Sequence, residues 1–173
     1  MSLNSNFSAS ELSKITSFLE NIGIPVLFNE ISNQTFLPGI FAHHGKLIID
    51  LNKLKYPGDI LHEAGHLAVL TPDERQSYSG NFAECKSSQN AGGDELAAIA
   101  WSYAASVFLN LPSDFVFHDA GYKGDANFLI ENFKSGKNIG LPLLQWMGLC
   151  LDNENAKKNK KRPFPYMLKW MRQ

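Results

Sequence analysis

His62, Glu63 and His66 stand in the order His-Glu-Ala-Gly-His, and theirs are the residue types and spacing in this chain that could do chemistry. On a helix, side chains four apart share a face with their Cβ atoms about 6 Å apart. Two imidazoles so placed can grip one divalent ion while the glutamate between them lies beside the open coordination position. That is a zinc site of the hydrolytic kind, with Glu63 as the general base of a metal-activated water. The neighbours strengthen the reading. Ile60, Leu61, Ala64, Leu67, Ala68, Val69 and Leu70 would desolvate the pair, and an unpaired buried polar group costs about 1–3 kcal/mol. A bound cation supplies the partner. Gly65 costs a helix about 1 kcal/mol relative to Ala and fits where something must pass close to the backbone.

A catalytic zinc takes three protein ligands and keeps one position for water. Val69 and Pro72 exclude the metzincin continuation, which would put Gly and His there, and no inverted His-x-x-Glu-His occurs. The third ligand must come from a later segment. Glu95 is expected, because it begins an alanine-rich helix on which Ala98 keeps the face narrow enough to pack against the zinc helix. The plainer alternative for Glu95 is a first-turn acid stabilised by the helix dipole. Asp94 is the competitor, although an N-cap position would occupy its side chain. Candidates for stabilising an oxyanion are His118, Tyr122, Tyr103 and Tyr78, and for His118 a surface position beside Asp119 is the plainer alternative. His43 and His44 are expected at a solvated hairpin turn.

The elements that must position these residues can be read from their periods. Ser8 with Glu11 makes a capping-box pattern before Leu12, Ile15, Phe18 and Leu19, so a helix is expected over residues 9–21, closed by Gly23. Segments 25–31, 35–42 and 46–51 read as a small sheet of about three strands. Pro57, Gly58 and Asp59 announce the metal helix, with Asp59 as N-cap, running to Leu70. Residues 71–93 read as a long polar loop with room for one helical turn. A second strong helix is expected from Asp94 to about Leu109, stopped by Pro112. A short extended piece at 115–117, a loop, and helices over 125–134 and 142–151 complete the plan. The fold class is therefore α+β, with a small N-terminal sheet and a mainly helical remainder, in a single domain over 1–173. Residues 152–173 are expected to form a loosely docked tail, with the basic cluster 157–162 solvated.

Composition narrows the rest. With 44% of 173 residues hydrophobic and 19% charged, the chain has too much apolar mass for disorder. Sixteen Lys and Arg against 17 Asp and Glu leave no field to attract a phosphate backbone, so no nucleic-acid partner is expected. Cys85 and Cys150 make neither a disulfide framework nor a Cys-x-x-Cys site, which favours a reducing, cytoplasmic location. No signal peptide is expected at the start, and the stretch 139–151 falls short of the roughly 20 apolar residues of a membrane span.

Over residues 45–112 the chain resembles a gluzincin-type metallopeptidase, and more narrowly the ImmA/IrrE family of metallo-endopeptidases. The residues that carry the resemblance are a strand at 46–51, the motif His62-Glu63-Ala64-Gly65-His66, and the helix from Glu95 through Tyr103-Ala104-Ala105 to a proline. The resemblance implies a minimal zincin-like fold, Zn2+ held by His62, His66 and Glu95, Glu63 as the general base, and a peptide or protein substrate. Two other readings stay open. One is a non-catalytic zinc-containing binding or regulatory protein that keeps the fold. The other is a purely structural metal with a fourth protein ligand, for which Cys85 and His118 are the candidates.

Overall fold

The computed structural model describes residues 8–32, 34–80, 91–122 and 124–173. The architecture is mixed α+β, with helices around one small four-stranded sheet. Helix α1 (Ala9–Asn21) opens with the capping box that its sequence spells. The Ser8 side chain accepts from the Glu11 amide, and the Glu11 carboxylate accepts from the Ser8 amide. Its stripe of Leu12, Ile15, Phe18 and Leu19 is buried, and Gly23, at φ 93°, turns the chain out.

The sheet has the order β1-β3-β2-β4. Strand β1 (Val26–Phe28) runs parallel to β3 (Lys46–Ile49), and β2 (Ile40–His43) pairs with β3 in an antiparallel hairpin. The hairpin turn is His44-Gly45, both at positive φ, as a two-residue loop matched to strand twist requires. Ile40, Ala42, Leu47 and Ile49 alternate inward to the core, where the sheet meets α1 and α2. A fourth strand, β4 (Ser79–Gly80), adds to the edge of β2, where about three strands were expected. Two residues are too few for a period to register.

Helix α2 (Gly58–Val69) is buried along nearly its whole length. Its start differs from the expectation. Pro57, not Asp59, is the N-cap, and the Asp59 carboxylate is engaged elsewhere. The expected loop at 71–93 contains helix α3 (Pro72–Ser77), capped by a second capping box between Thr71 and Glu74. Residues 81–90, with Cys85 among them, lie outside the described residues. Helix α4 (Ala91–Phe108) starts three residues before Asp94, so Asp94 is not its N-cap. Ala97, Ala98, Ala100, Trp101, Ala104 and Ala105 are buried, and α4 makes with α2 the most extensive helix packing among the described elements.

After Pro112 the chain forms α5 (Ser113–Val116) where an extended piece was expected, then α6 (Ala126–Lys134), α7 (Leu141–Trp146) and α8 (Asn153–Lys158). Helix α7 stops short of 151 because Gly148 leaves at φ 73°. The first residues of the basic cluster are therefore helical. The final segment packs on the core: the Trp170 ring stands edge-on to Phe18 at 4.8 Å, and Trp101 Nε1 donates to the Trp170 carbonyl. Arg75 donates to the carbonyls of Leu67, Leu70 and Arg172, tying the end of α2 to that segment.

Candidate metal centre

His62 and His66 sit one turn apart on α2 with their Nε2 atoms 3.1 Å from each other. Glu95, in the second turn of α4, places Oε1 3.5 Å from His62 Nε2 and Oε2 3.2 Å from His66 Nε2. Two ligands held about 2.0–2.1 Å from one ion at the tetrahedral angle stand about 3.3 Å apart. The three edges bracket that value, so this His62, His66 and Glu95 cluster could hold a metal ion. Glu95 rather than Asp94 completes the group. Among the described residues the group has three members. His62 and His66 are 12% and 4% exposed at the side chain, Glu95 45%, so the site opens to solvent on the α4 side.

Gly65 explains how α4 comes close enough. A Cβ built there would lie 2.8 Å from the Ala98 carbonyl oxygen and 3.2 Å from the Ala98 Cα. The close passage of a backbone implied by a glycine in mid-helix is the backbone of α4, three residues after Glu95.

The electrostatics follow from burial. His62 is depressed to about 3, first by desolvation and then by the His66 ring, against the opposing pull of Glu95. Its ring is therefore neutral at pH 7 and offers a lone pair. Glu95 is held below the ordinary carboxylate range. Burial pushes it up, but the His66 contact and the charges of both imidazoles outweigh that. Glu63, buried between the two histidines, is raised by desolvation and by the charges of Glu95 and Asp59, with His66 opposing.

Around this group lies a second layer that the motif does not announce. Tyr122 Oη is 3.2 Å from His62 Nδ1. His118 Nε2 is 2.8 Å from Asp59 Oδ1, its Nδ1 accepts from the Gly121 amide at 3.1 Å, and its ring stacks on Tyr56 at 3.9 Å. Both nitrogens of His118 are therefore committed, which removes it as an oxyanion donor and as a fourth ligand. Tyr78 Oη donates to the Gly80 carbonyl, and the Tyr103 ring stacks on Phe133. His44 is exposed at the hairpin turn, as expected, and His43 is partly so; they contact the Gln76 carbonyl and Ser79 Oγ respectively. No family model, curated protein or solved structure matches this chain, so the functional reading rests on the site itself. No helix of the described residues is long and apolar enough to cross a membrane.

Proposed function

We propose that the chain is a zinc-dependent metallopeptidase of zincin type, with His62, His66 and Glu95 as the ligands and Glu63 as the general base. The observation that carries the proposal is the convergence of the two imidazole Nε2 atoms and the two Glu95 carboxylate oxygens at contacts of 3.1–3.5 Å, with a buried acid in the same helical turn. Nitrogen-rich donor sets of this size suit zinc better than the all-oxygen cages of calcium or magnesium. Zinc, when bound, supplies a Lewis acid and brings the pKa of its water to roughly 7.

The chain's own residues do the rest. The neutral His62 ring and the carboxylate of Glu95 hold the site without adding net positive charge. Glu63, whose proton affinity is raised by burial, is suited to take a proton from water and return it to a departing amine. The half-exposed Glu95 marks the side from which a peptide can approach. The motif's resemblance to the ImmA/IrrE endopeptidases supports a peptide substrate, and a chain with so few cysteines suits a reducing, cytoplasmic setting.

Among the described residues the donor group has three members, the number expected of an open site, whereas a structural metal would be expected to have four protein ligands. Glu63→Gln tests the assignment. Bound zinc per chain should be unchanged, while cleavage of a proteome-derived peptide library should fall by about 10²–10⁴-fold. Retained cleavage would remove Glu63 as the base. A wild-type chain that binds zinc and cleaves nothing in that library would favour the binding-protein reading.

A further inference from the structure

The metal motif accounts for His62, Glu63 and His66 but not for the groups behind them. Asp59 and His62 lie three residues apart on α2. A circuit of contacts joins them through the loop that follows α5: Asp59 Oδ1 to His118 Nε2 at 2.8 Å, His118 Nδ1 to the Gly121 amide at 3.1 Å, then the next residue, Tyr122, to His62 Nδ1 at 3.2 Å. The Gly121 link fixes the protons of His118. The Gly121 amide can only donate, so His118 Nδ1 carries a lone pair and Nε2 carries the hydrogen given to Asp59. At His62, an Nε2 that held an ion would have to present its lone pair, which would put the hydrogen on Nδ1, where the Tyr122 oxygen would accept it.

We propose that Tyr122 is the positioning residue of the metal centre, holding His62 in its Nδ1–H tautomer. In the same circuit His118 tethers the Tyr122 loop to Asp59 at the start of the metal helix.

The tether is built for that purpose rather than for general packing. The His118 ring is clamped flat against Tyr56, 19° from parallel, Asp59 is buried, and Tyr122 is partly buried against the core. A tyrosine hydroxyl, with an ordinary pKa of about 10, is neutral at pH 7. A phenol in this role is a weaker acceptor than the carboxylates or carbonyls that commonly orient metal-bound histidines. It leaves the His62 ring neutral, with no added negative charge behind it.

The inference rests on the zinc reading, and the experiment separates the two. Zinc affinity would be measured by competition with a chromogenic chelator for wild type, Tyr122→Phe, His118→Phe and the double variant, with apo melting temperatures as a check on folding. Wild type should bind one ion. Tyr122→Phe should bind about 10–100-fold more weakly with an unchanged apo melting temperature. His118→Phe, which keeps the stacking ring, should lose less, and the double variant should be no weaker than Tyr122→Phe, because His118 acts only through Tyr122. In ¹⁵N–¹H spectra of the imidazoles, His62 should show one tautomer in wild type and two in exchange in apo Tyr122→Phe. Wild type without zinc would sink both readings. Wild-type affinity in Tyr122→Phe with a single His62 tautomer would sink this one alone.

Discussion

Gly65→Ala is the substitution on which the geometry of the site can be tested most directly. At an exposed helical position the change would stabilise the protein by about 1 kcal/mol, raising the melting temperature of a chain this size by about 2–4 °C. Here the new methyl would stand 2.8 Å from the Ala98 carbonyl oxygen, about 0.6 Å inside ordinary contact, and the obstacle is backbone on a neighbouring helix rather than a side chain that can swing aside. Overpacking of this kind costs about 1–3 kcal/mol, so the helix-propensity gain is cancelled or exceeded, and the net effect lies between no change and about 2 kcal/mol of destabilisation. The larger consequence is at the metal centre. Ala98 is one turn after Glu95 on α4, so a helix pushed away by about 0.6 Å takes the carboxylate with it, beyond the roughly 0.5 Å tolerance of a working site. Zinc affinity should fall by about tenfold or more while the far-UV spectrum stays native. Thermal denaturation of the apo form and chelator competition read the two effects separately. A variant that melts higher than wild type and binds zinc equally well would refute the argument that α4 is seated on the bare backbone of Gly65.

Glu95→Gln removes the proposed negative ligand and should weaken zinc binding by about 100-fold or more with the fold intact, whereas Asp94→Asn should leave it within a fewfold of wild type; chelator competition distinguishes them. Arg75→Met leaves three carbonyls without their guanidinium donor and should cost about 1–3 kcal/mol in urea denaturation, with faster proteolysis of the C-terminal segment. Asp50 accepts from the Ile31 and Asn52 amides and is held below the ordinary carboxylate value, chiefly by the Ile31 bond and against the effect of its burial. A depressed acid stabilises the fold above its unfolded pKa and loses that contribution as pH falls through its folded one. Melting temperature should therefore drop as pH is lowered from about 4 toward 2, and this slope should be shallower in Asp50→Asn.

What could be read from the sequence divides according to how local the cause is. The cap of α1, the His44-Gly45 turn and the pairing of His62 with His66 are each set by residues within four positions of one another, and each is found where the spacing puts it. The capping box Thr71-Pro-Asp-Glu74 was equally legible and would have revealed α3 inside the expected loop, as Gly148 would have shortened α7. Asp59 looks like an N-cap by type, but the choice between capping its own helix and holding His118 is settled by a residue 59 positions away. The same holds for Tyr122, a loop residue with no motif, whose partner is 60 positions back. The short apolar run at 115–117 fits a strand or a helical turn equally well, and Pro112 followed by Ser113 tips it toward the turn that is α5.

The pattern along α2 ties these observations together. Asp59, His62, Glu63 and His66 occupy positions i, i+3, i+4 and i+7, the stripe that an amphipathic helix would normally turn to water, yet this helix is buried. A polar stripe in a core is costly unless each member finds a partner. Three of the four meet partners outside the helix: Asp59 meets His118, His62 meets Tyr122 and Glu95, and His66 meets Glu95, while Glu63 lies in the field of His66. These partners come from two later segments, α4 and the loop after α5. Simple selection for stability would replace such a stripe with leucine and alanine, as on the rest of the helix. That two separate segments converge on it instead, with a mid-helix glycine opening the approach of one of them, is the physical argument that α2 is kept polar for what it holds.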